Sequence, residues 1–222
     1  MTSNYYSSLY PTQAVLKWWI EDHAKRNIPK IPTRRKIVFV NSTAPLIPLP
    51  GYMAYSGTMA LTYMHLACIL IATASKAAQR ALADTVRLEA SRYSGPKSTY
   101  IVQCVFAHNF ITTTFLREQE RKPELTKRIE GTSAVTLEEL EKEIPYASTV
   151  AQQVITDAES DDFAIVDRRL IPQLLWSNMM GTSPKRGWGI VDSILAFLTI
   201  LIIWPINDWD IRKKCWGEAL NK

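Results

Sequence analysis

Two ionisable side chains, His65 and Asp192, sit inside the least charged stretches of the 222-residue chain, and these are the positions where its sequence offers chemistry. An imidazole inside an apolar helix acts as a haem or metal ligand or as a proton carrier. It also serves as a simple hydrogen-bond donor to a neighbouring helix, and the sequence favours that role, because no second histidine occupies a comparable stretch. Asp192 reads either as a proton-path carboxylate or as a first-turn acid that complements a helix dipole beside Lys185 and Arg186. The second reading needs no further partner and is preferred.

Other constellations fail on their spacing. Asp157, Glu159, Asp161 and Asp162 resemble the first half of a calcium loop, but the sixth position holds Asp162 where glycine is required and the twelfth holds Arg168 where a bidentate Glu is required. A solvated acidic turn fits better. Cys68, Cys104 and Cys215 stand singly, without the Cys-x-x-Cys spacing of a zinc or redox site. The chain has no P-loop, dinucleotide fingerprint, nucleophile elbow or zincin helix. These observations predict no catalytic, cofactor-binding or metal-binding residues, a non-enzyme, no cofactor, and bound lipid.

The elements that would position His65 and Asp192 are two apolar stretches, one uncharged and the other carrying Asp192 alone. Trp188 to Pro205 reads WGIVDSILAFLTILIIWP, and about 20 residues at 1.5 Å rise span a bilayer core of roughly 30 Å. Trp188, Trp204 and Trp209 sit at depths where indole rings anchor in a membrane interface, with bases outside both ends. Tyr52 to Ala74 is the second stretch, rich in small residues, of which Ser56, Gly57, Ala60 and Ala67 are candidates for close helix packing. Its helical pattern continues through Ala78, Leu82, Val86 and Ala90 to Tyr93, and Gly95 and Pro96 end it.

Upstream, a helix from about Thr12 to Arg26 crowds Trp18 and Trp19 on one side, suited to a membrane interface or to a protein partner. Ile28 to Gly51 carries five prolines and reads as an extended connector with a β-prone run at Ile37 to Val40. Asn41, Ser42 and Thr43 match a glycosylation sequon, a pattern frequent by chance. Ser98 to Leu116 is uncharged but β-branched and aromatic, with Gln103, His108 and Asn109 inside. It reads as a buried strand or helix, with a third span as the alternative. Beyond it, Thr136 and Glu139 form a capping box, Ala147 to Ala158 is amphipathic, and Pro172 starts a further helix.

Charge follows this partition. Residues 1 to 50 and 208 to 222 hold 11 Lys or Arg against 5 acids, whereas residues 76 to 187 hold 15 of each. Bases beside apolar stretches suit a membrane surface better than nucleic acid, and they place both termini on the matrix or cytoplasmic side. The N-terminus lacks the apolar core of a signal peptide.

The sequence thus predicts a mainly α integral membrane protein with two transmembrane helices, at about 52–75 and 188–206. The expected segments are an arm (1–51), a first span extended to about 93, an extramembrane segment (94–187), a second span and a basic tail (207–222). The expected role is a non-catalytic accessory subunit of a large assembly in the mitochondrial inner membrane, a respiratory-chain complex or ATP synthase, with other membrane subunits and lipids as partners and no nucleic acid. A pore or transporter component and a membrane-anchored enzyme are the alternatives.

Overall fold

The computed structural model describes residues 5–25, 27, 29, 31–43, 46, 61–122, 124–133, 136–179, 184–207, 209, 210 and 213, with the backbone alone at 61–74 and at 121. Its centre is a three-stranded parallel sheet in the order β1 (Thr33–Ser42), β2 (Ser98–Ala107), β3 (Ala164–Val166). β1 and β2 pair along their whole length, from Thr33 opposite Ser98 to Ser42 opposite Ala107, and β3 pairs Ala164 with Cys104 and Val166 with Phe106.

β2 is the middle strand and is almost continuously buried. A parallel strand covered on both faces must read as an unbroken run of β-branched, aromatic and hydrogen-bonded residues, and STYIVQCVFA does. This is the strand alternative for the uncharged stretch that starts at Ser98, and it ends at Ala107, well short of a membrane span. Gln103 is tolerated inside because its amide donates to the carbonyls of Ser160 (2.9 Å) and Asp162 (3.1 Å).

Helices cover the sheet. α1 (Ser7–Lys25) precedes β1, and α2 (Leu61–Ser91) crosses from β1 to β2. Ala83, Val86 and Ala90 of α2 share the main core with Tyr100, Val102, Cys104 and Phe106 of β2 and with Leu175 and Trp176 of α7 (Leu170–Met179). Small residues at positions 83 and 90 let the helix approach the strands closely, where the burial of apolar area stabilises most. Arg80 lies over the rings of Phe106 (5.9 Å) and Trp176 (5.4 Å), an Arg stacked on aromatics at the core margin.

A second, smaller core lies between β2 and β3. That part of the chain forms α3 (Thr113–Arg121), α4 (Glu124–Glu130), α5 (Leu137–Glu143) and α6 (Ala147–Asp157); Phe115 of α3 and Leu140 of α5 pack with Ile111 and Ile144, and an isolated bridge joins Ile111 to Tyr146. The Thr136–Glu139 capping box is present. The carbonyls after α6, at Ala158 (2.5 Å), Glu159 (3.2 Å) and Ser160 (2.5 Å), accept from the Lys36 ammonium, a cation placed where a helix C-terminus is negative.

The last helix, α8 (Ile190–Leu198), continues as a π-helical segment, Thr199–Ile203. Among the described residues, Ile190–Asn207 is the one helix long and apolar enough to cross a membrane.

The predicted two-span helical membrane architecture is therefore corrected to an α/β fold with a parallel sheet. The stripe Ala78, Leu82, Val86 and Ala90 has helical period, as expected, but its buried members cover a sheet and do not extend a membrane span. Periodicity identifies an apolar face without saying whether strands, lipid or another helix covers it. The connector after Ile28 contributes a ten-residue strand, because its prolines flank Thr33–Ser42 and do not interrupt it.

Candidate functional site

In an open parallel α/β sheet, ligands settle outside the carboxyl ends of the strands, where the strand-to-helix turns present side chains and backbone amides. Each of the three strands here ends at polar residues: Asn41 and Ser42 close β1 and Thr43 follows it, His108 and Asn109 follow β2, and Asp167, Arg168 and Arg169 follow β3.

These turns are tied to one another. The Thr43 hydroxyl meets His108 Nδ1 at 2.9 Å, and the Thr43 amide donates to the Ala107 carbonyl at 2.9 Å. Asn41 is buried and its side-chain amide donates to the Lys76 carbonyl at 2.8 Å, which fixes α2 against the end of β1. A residue so held is no glycan acceptor, and the sequon has a structural use. Arg169 grips Asp167 with Nε at 3.0 Å from Oδ1 and Nη2 at 2.6 Å from Oδ2. It then reaches across to the carbonyls of Asn109 (2.7 Å) and Glu143 (3.5 Å), and so closes the α3–α6 layer onto the sheet.

Burial and charge shift the titration of these groups. Burial, with the Arg169 cation adding to it, pushes His108 down to about 4 against the pull of Asp167, so its imidazole is neutral near pH 7. Burial also lowers the Lys76 ammonium from its ordinary value. Burial pushes the Asp167 carboxyl up, but the hydrogen bonds and charge of Arg169 outweigh it and hold Asp167 below the usual carboxylate range. The edge thus gathers a neutral imidazole and a fixed ion pair, with the Lys76 backbone carbonyl bound to Asn41 beside them. Cys104, deeper in the core, has its thiol pushed up to about 12 by burial and is inert.

The residues singled out from the sequence lie elsewhere. Ser56, Gly57 and Ala60 fall outside the described residues, as do the side chains of His65 and Ala67. Asp192 is 1% exposed at the first turn of α8 and accepts from Arg186 Nη2 at 2.5 Å, from the Arg186 amide at 2.8 Å and from Ser177 at 3.4 Å. Trp18 and Trp209 are exposed and Trp188 is 97% exposed, whereas Trp19 and Trp204 are partly buried against the main core. Trp19 lies 5.9 Å from the Tyr100 ring and 5.7 Å from the Arg35 guanidinium, which in turn pairs with Asp22. The acidic turn is engaged by bases: Asp157 pairs with Arg168 at 2.6 Å and Asp161 with Arg34.

The sequence reading missed the carboxyl-edge set. Its signal is a thrice-repeated pattern, a β-branched or aromatic run followed directly by polar residues: IVFV then NST, IVQCVFA then HN, AIV then DRR.

Comparison with known proteins overturns the functional expectations. The chain is 24% identical, over 98% of its length, to a 3-ketodihydrosphingosine reductase of Aspergillus fumigatus, of which it covers 54%. It is 31% identical, over 97% of its length, to a 3-dehydrosphinganine reductase of Danio rerio, of which it covers 53%. A 3-ketodihydrosphingosine reductase of Bos taurus is 28% identical over 97% of the chain and is likewise 53% covered. The chain spans about half the length of these curated relatives. No family model matches it and no solved structure does. The relatives are oxidoreductases, so the expected non-catalytic subunit of a respiratory complex or ATP synthase is corrected to a chain similar to reductases. The mitochondrial inner-membrane location rested on that role and falls with it. The expected lack of a cofactor falls as well, because a reductase draws electrons from a donor.

Proposed function

We propose that this chain forms part of a reductase that converts the 3-keto group of a long-chain sphingoid base to a secondary alcohol. The observation that carries the reading is similarity along almost the whole chain to several proteins named for that activity. The polar carboxyl edge of the sheet supports it, because that edge supplies proton-handling groups where such a fold receives ligands.

The net reaction adds two electrons and two protons to a C=O bond, and the donor we propose is NADPH. The turns His108–Thr112 and Asp167–Arg169 hold no glycine, and the chain has no G-x-G-x-x-G, so its described residues do not form a backbone cradle for a dinucleotide diphosphate. No step through the donor is therefore derived from them.

What these residues supply is the proton and the orientation. A keto oxygen at the carboxyl edge takes its proton from a nearby donor, and the donor we propose is Lys76, whose backbone carbonyl binds Asn41 at the end of β1 and whose ammonium is lowered by burial. Ser42 offers a hydroxyl for the same oxygen, and the neutral His108 held by Thr43 keeps a second cation away from Arg169. The Asp167–Arg169 pair fixes the turn that faces them.

Purified chain incubated with NADPH and 3-ketodihydrosphingosine is expected to consume the donor and form dihydrosphingosine in equal amounts. Lys76→Met should lower kcat by about a hundredfold or more, the usual contribution of a positioned general acid, with the fold intact by circular dichroism. Full activity in Lys76→Met would remove the lysine from the mechanism. Absence of both turnover and ketone binding in the wild type would remove the reductase reading.

A further inference from the structure

One side chain braces the carboxyl edge from behind. Gln173, in the first turn of α7, directs its amide back to the end of β3 and donates to the carbonyls of Asp167 (2.6 Å) and Val166 (3.3 Å). These carbonyls need donors. The Phe163 carbonyl accepts from the Cys104 amide of β2 at 2.7 Å, so the two-residue alternation of a strand turns the Val166 carbonyl to the opposite side, where no further strand pairs with β3 among the described residues.

The other end of the same side chain is held as well. The Gln173 side-chain oxygen accepts from Arg186 Nη1, and Arg186 is fixed in turn by Asp192, which is 1% exposed and accepts from Nη2 at 2.5 Å and from the Arg186 amide at 2.8 Å. A carboxamide that donates at one end and accepts at the other has a single orientation, because a flip would break both sets of bonds. Asp167 is where this brace meets the edge. Its carbonyl accepts from Gln173, while its carboxylate holds Arg169, whose Nη2 reaches on to the Asn109 carbonyl at 2.7 Å, next to His108.

We propose that Gln173 is a positioning residue for ketone reduction: by bridging Arg186 to the carbonyls that end β3, it holds the Asp167–Arg169 pair against the turn that carries His108 and keeps the carboxyl edge in one arrangement for the keto group. This assignment rests on the reductase reading above. Water alone satisfies the carbonyls of an open strand edge. A donor locked from behind by a buried ion pair fixes their position too, and fixed position is what a reacting group demands of its surroundings.

The test is a proton NMR titration of the His108 ring in the full chain, its resonance identified by its loss in His108→Asn. Burial and Arg169 hold the His108 midpoint at about 4 against the pull of Asp167, with the Thr43 hydroxyl on Nδ1. Gln173→Leu frees the turn, so the midpoint should rise toward the ordinary 6.5. In turnover the same variant should lower kcat about tenfold while KM for the ketone stays within about twofold. Gln173→Glu keeps an oxygen for Arg186 and removes the donor to β3, and it gives the same readouts where the leucine variant fails to fold. Tyr100→Leu controls for general loosening. Tyr100 is buried near the start of β2, about 26 Å along the strand from His108, so this variant should leave both the midpoint and kcat unchanged. A His108 midpoint that stays near 4 in the Gln173 variants overturns the proposal, and so does an equal rise, or an equal loss of kcat, in Tyr100→Leu. Failure of the wild type to reduce any ketone defeats the reductase reading separately, because the titration is read without turnover.

Discussion

Two apolar stretches of this chain, Ser98–Ala107 with no charge and Ile190–Ile203 with the single Asp192, meet opposite fates. The first becomes β2, buried on both faces at the centre of the sheet; the second becomes α8 and its continuation, which exposes its isoleucines, leucines and phenylalanine and buries an aspartate and a threonine. Composition alone does not separate them. What does is the residue type within each: β-branched and aromatic side chains with an internal Gln103 need a sheet and hydrogen-bond partners, whereas an aliphatic run at helical spacing satisfies its own backbone and needs only a covering. The fold buries the first and leaves the apolar face of the second exposed.

The largest test of this contrast is on the buried side. Trp176 is fully buried, with its ring 4.6 Å from that of Phe106 and the Arg80 guanidinium over its face. Trp176→Ala removes this contact and leaves a cavity against β2, and it is expected to cost about 3–5 kcal/mol in denaturant unfolding. A loss under about 1 kcal/mol would mean that the α7–sheet contact is not part of the cooperative core.

A smaller effect belongs to the open end of β2, where burial gives way to the polar edge. In the unfolded chain His108 takes a proton near its ordinary value of 6.5, but in the folded chain only near 4. Between these values the unfolded state binds more protons, so stability rises with pH across the window and is lost as pH falls from about 6.5 to about 4. The size is at most about 3 kcal/mol. His108→Asn should flatten the stability profile in that window while leaving stability near pH 8 within about 1 kcal/mol of wild type. An unchanged slope would show that His108 is not the group responsible. The depressed Asp167 carboxylate acts separately, stabilising above its ordinary carboxylate value and losing that contribution only below it.

Much of this local structure was legible in the sequence. The capping box at Thr136 and Glu139, the amphipathic helix from Ala147, the β-prone run at Ile37 to Val40 and the apolar helix from Ile190 are all present, because each depends on residues a few positions apart. The sheet was not, because pairing Thr33 with Ser98 depends on contacts 65 residues apart, which local periodicity does not encode. The candidate site was missed for the same reason. Ser42, His108 and Asp167 each look ordinary alone, and only the parallel register brings their strand ends to one edge, where Asn41 binds the Lys76 carbonyl of α2. Charge-free helices drew attention instead, and with them the membrane reading.

The smallest effects concern α8, and they reverse the usual hierarchy of apolar over polar. Asp192 carries the attachment of this helix: it is buried, pairs with an Arg186 whose side chain is 23% exposed, and accepts the Arg186 amide as well. Asp192→Ala leaves that guanidinium without its acid, and after discounting for its partial exposure a loss of about 2 kcal/mol is expected. Phe197, large but outward, has no such role, and Phe197→Ala should change stability by less than about 0.5 kcal/mol. Chemical unfolding of the two variants side by side measures the contrast directly. If Phe197→Ala were the more damaging, α8 would be packed by its apolar face, contrary to the exposure of Phe197 and the burial of Asp192.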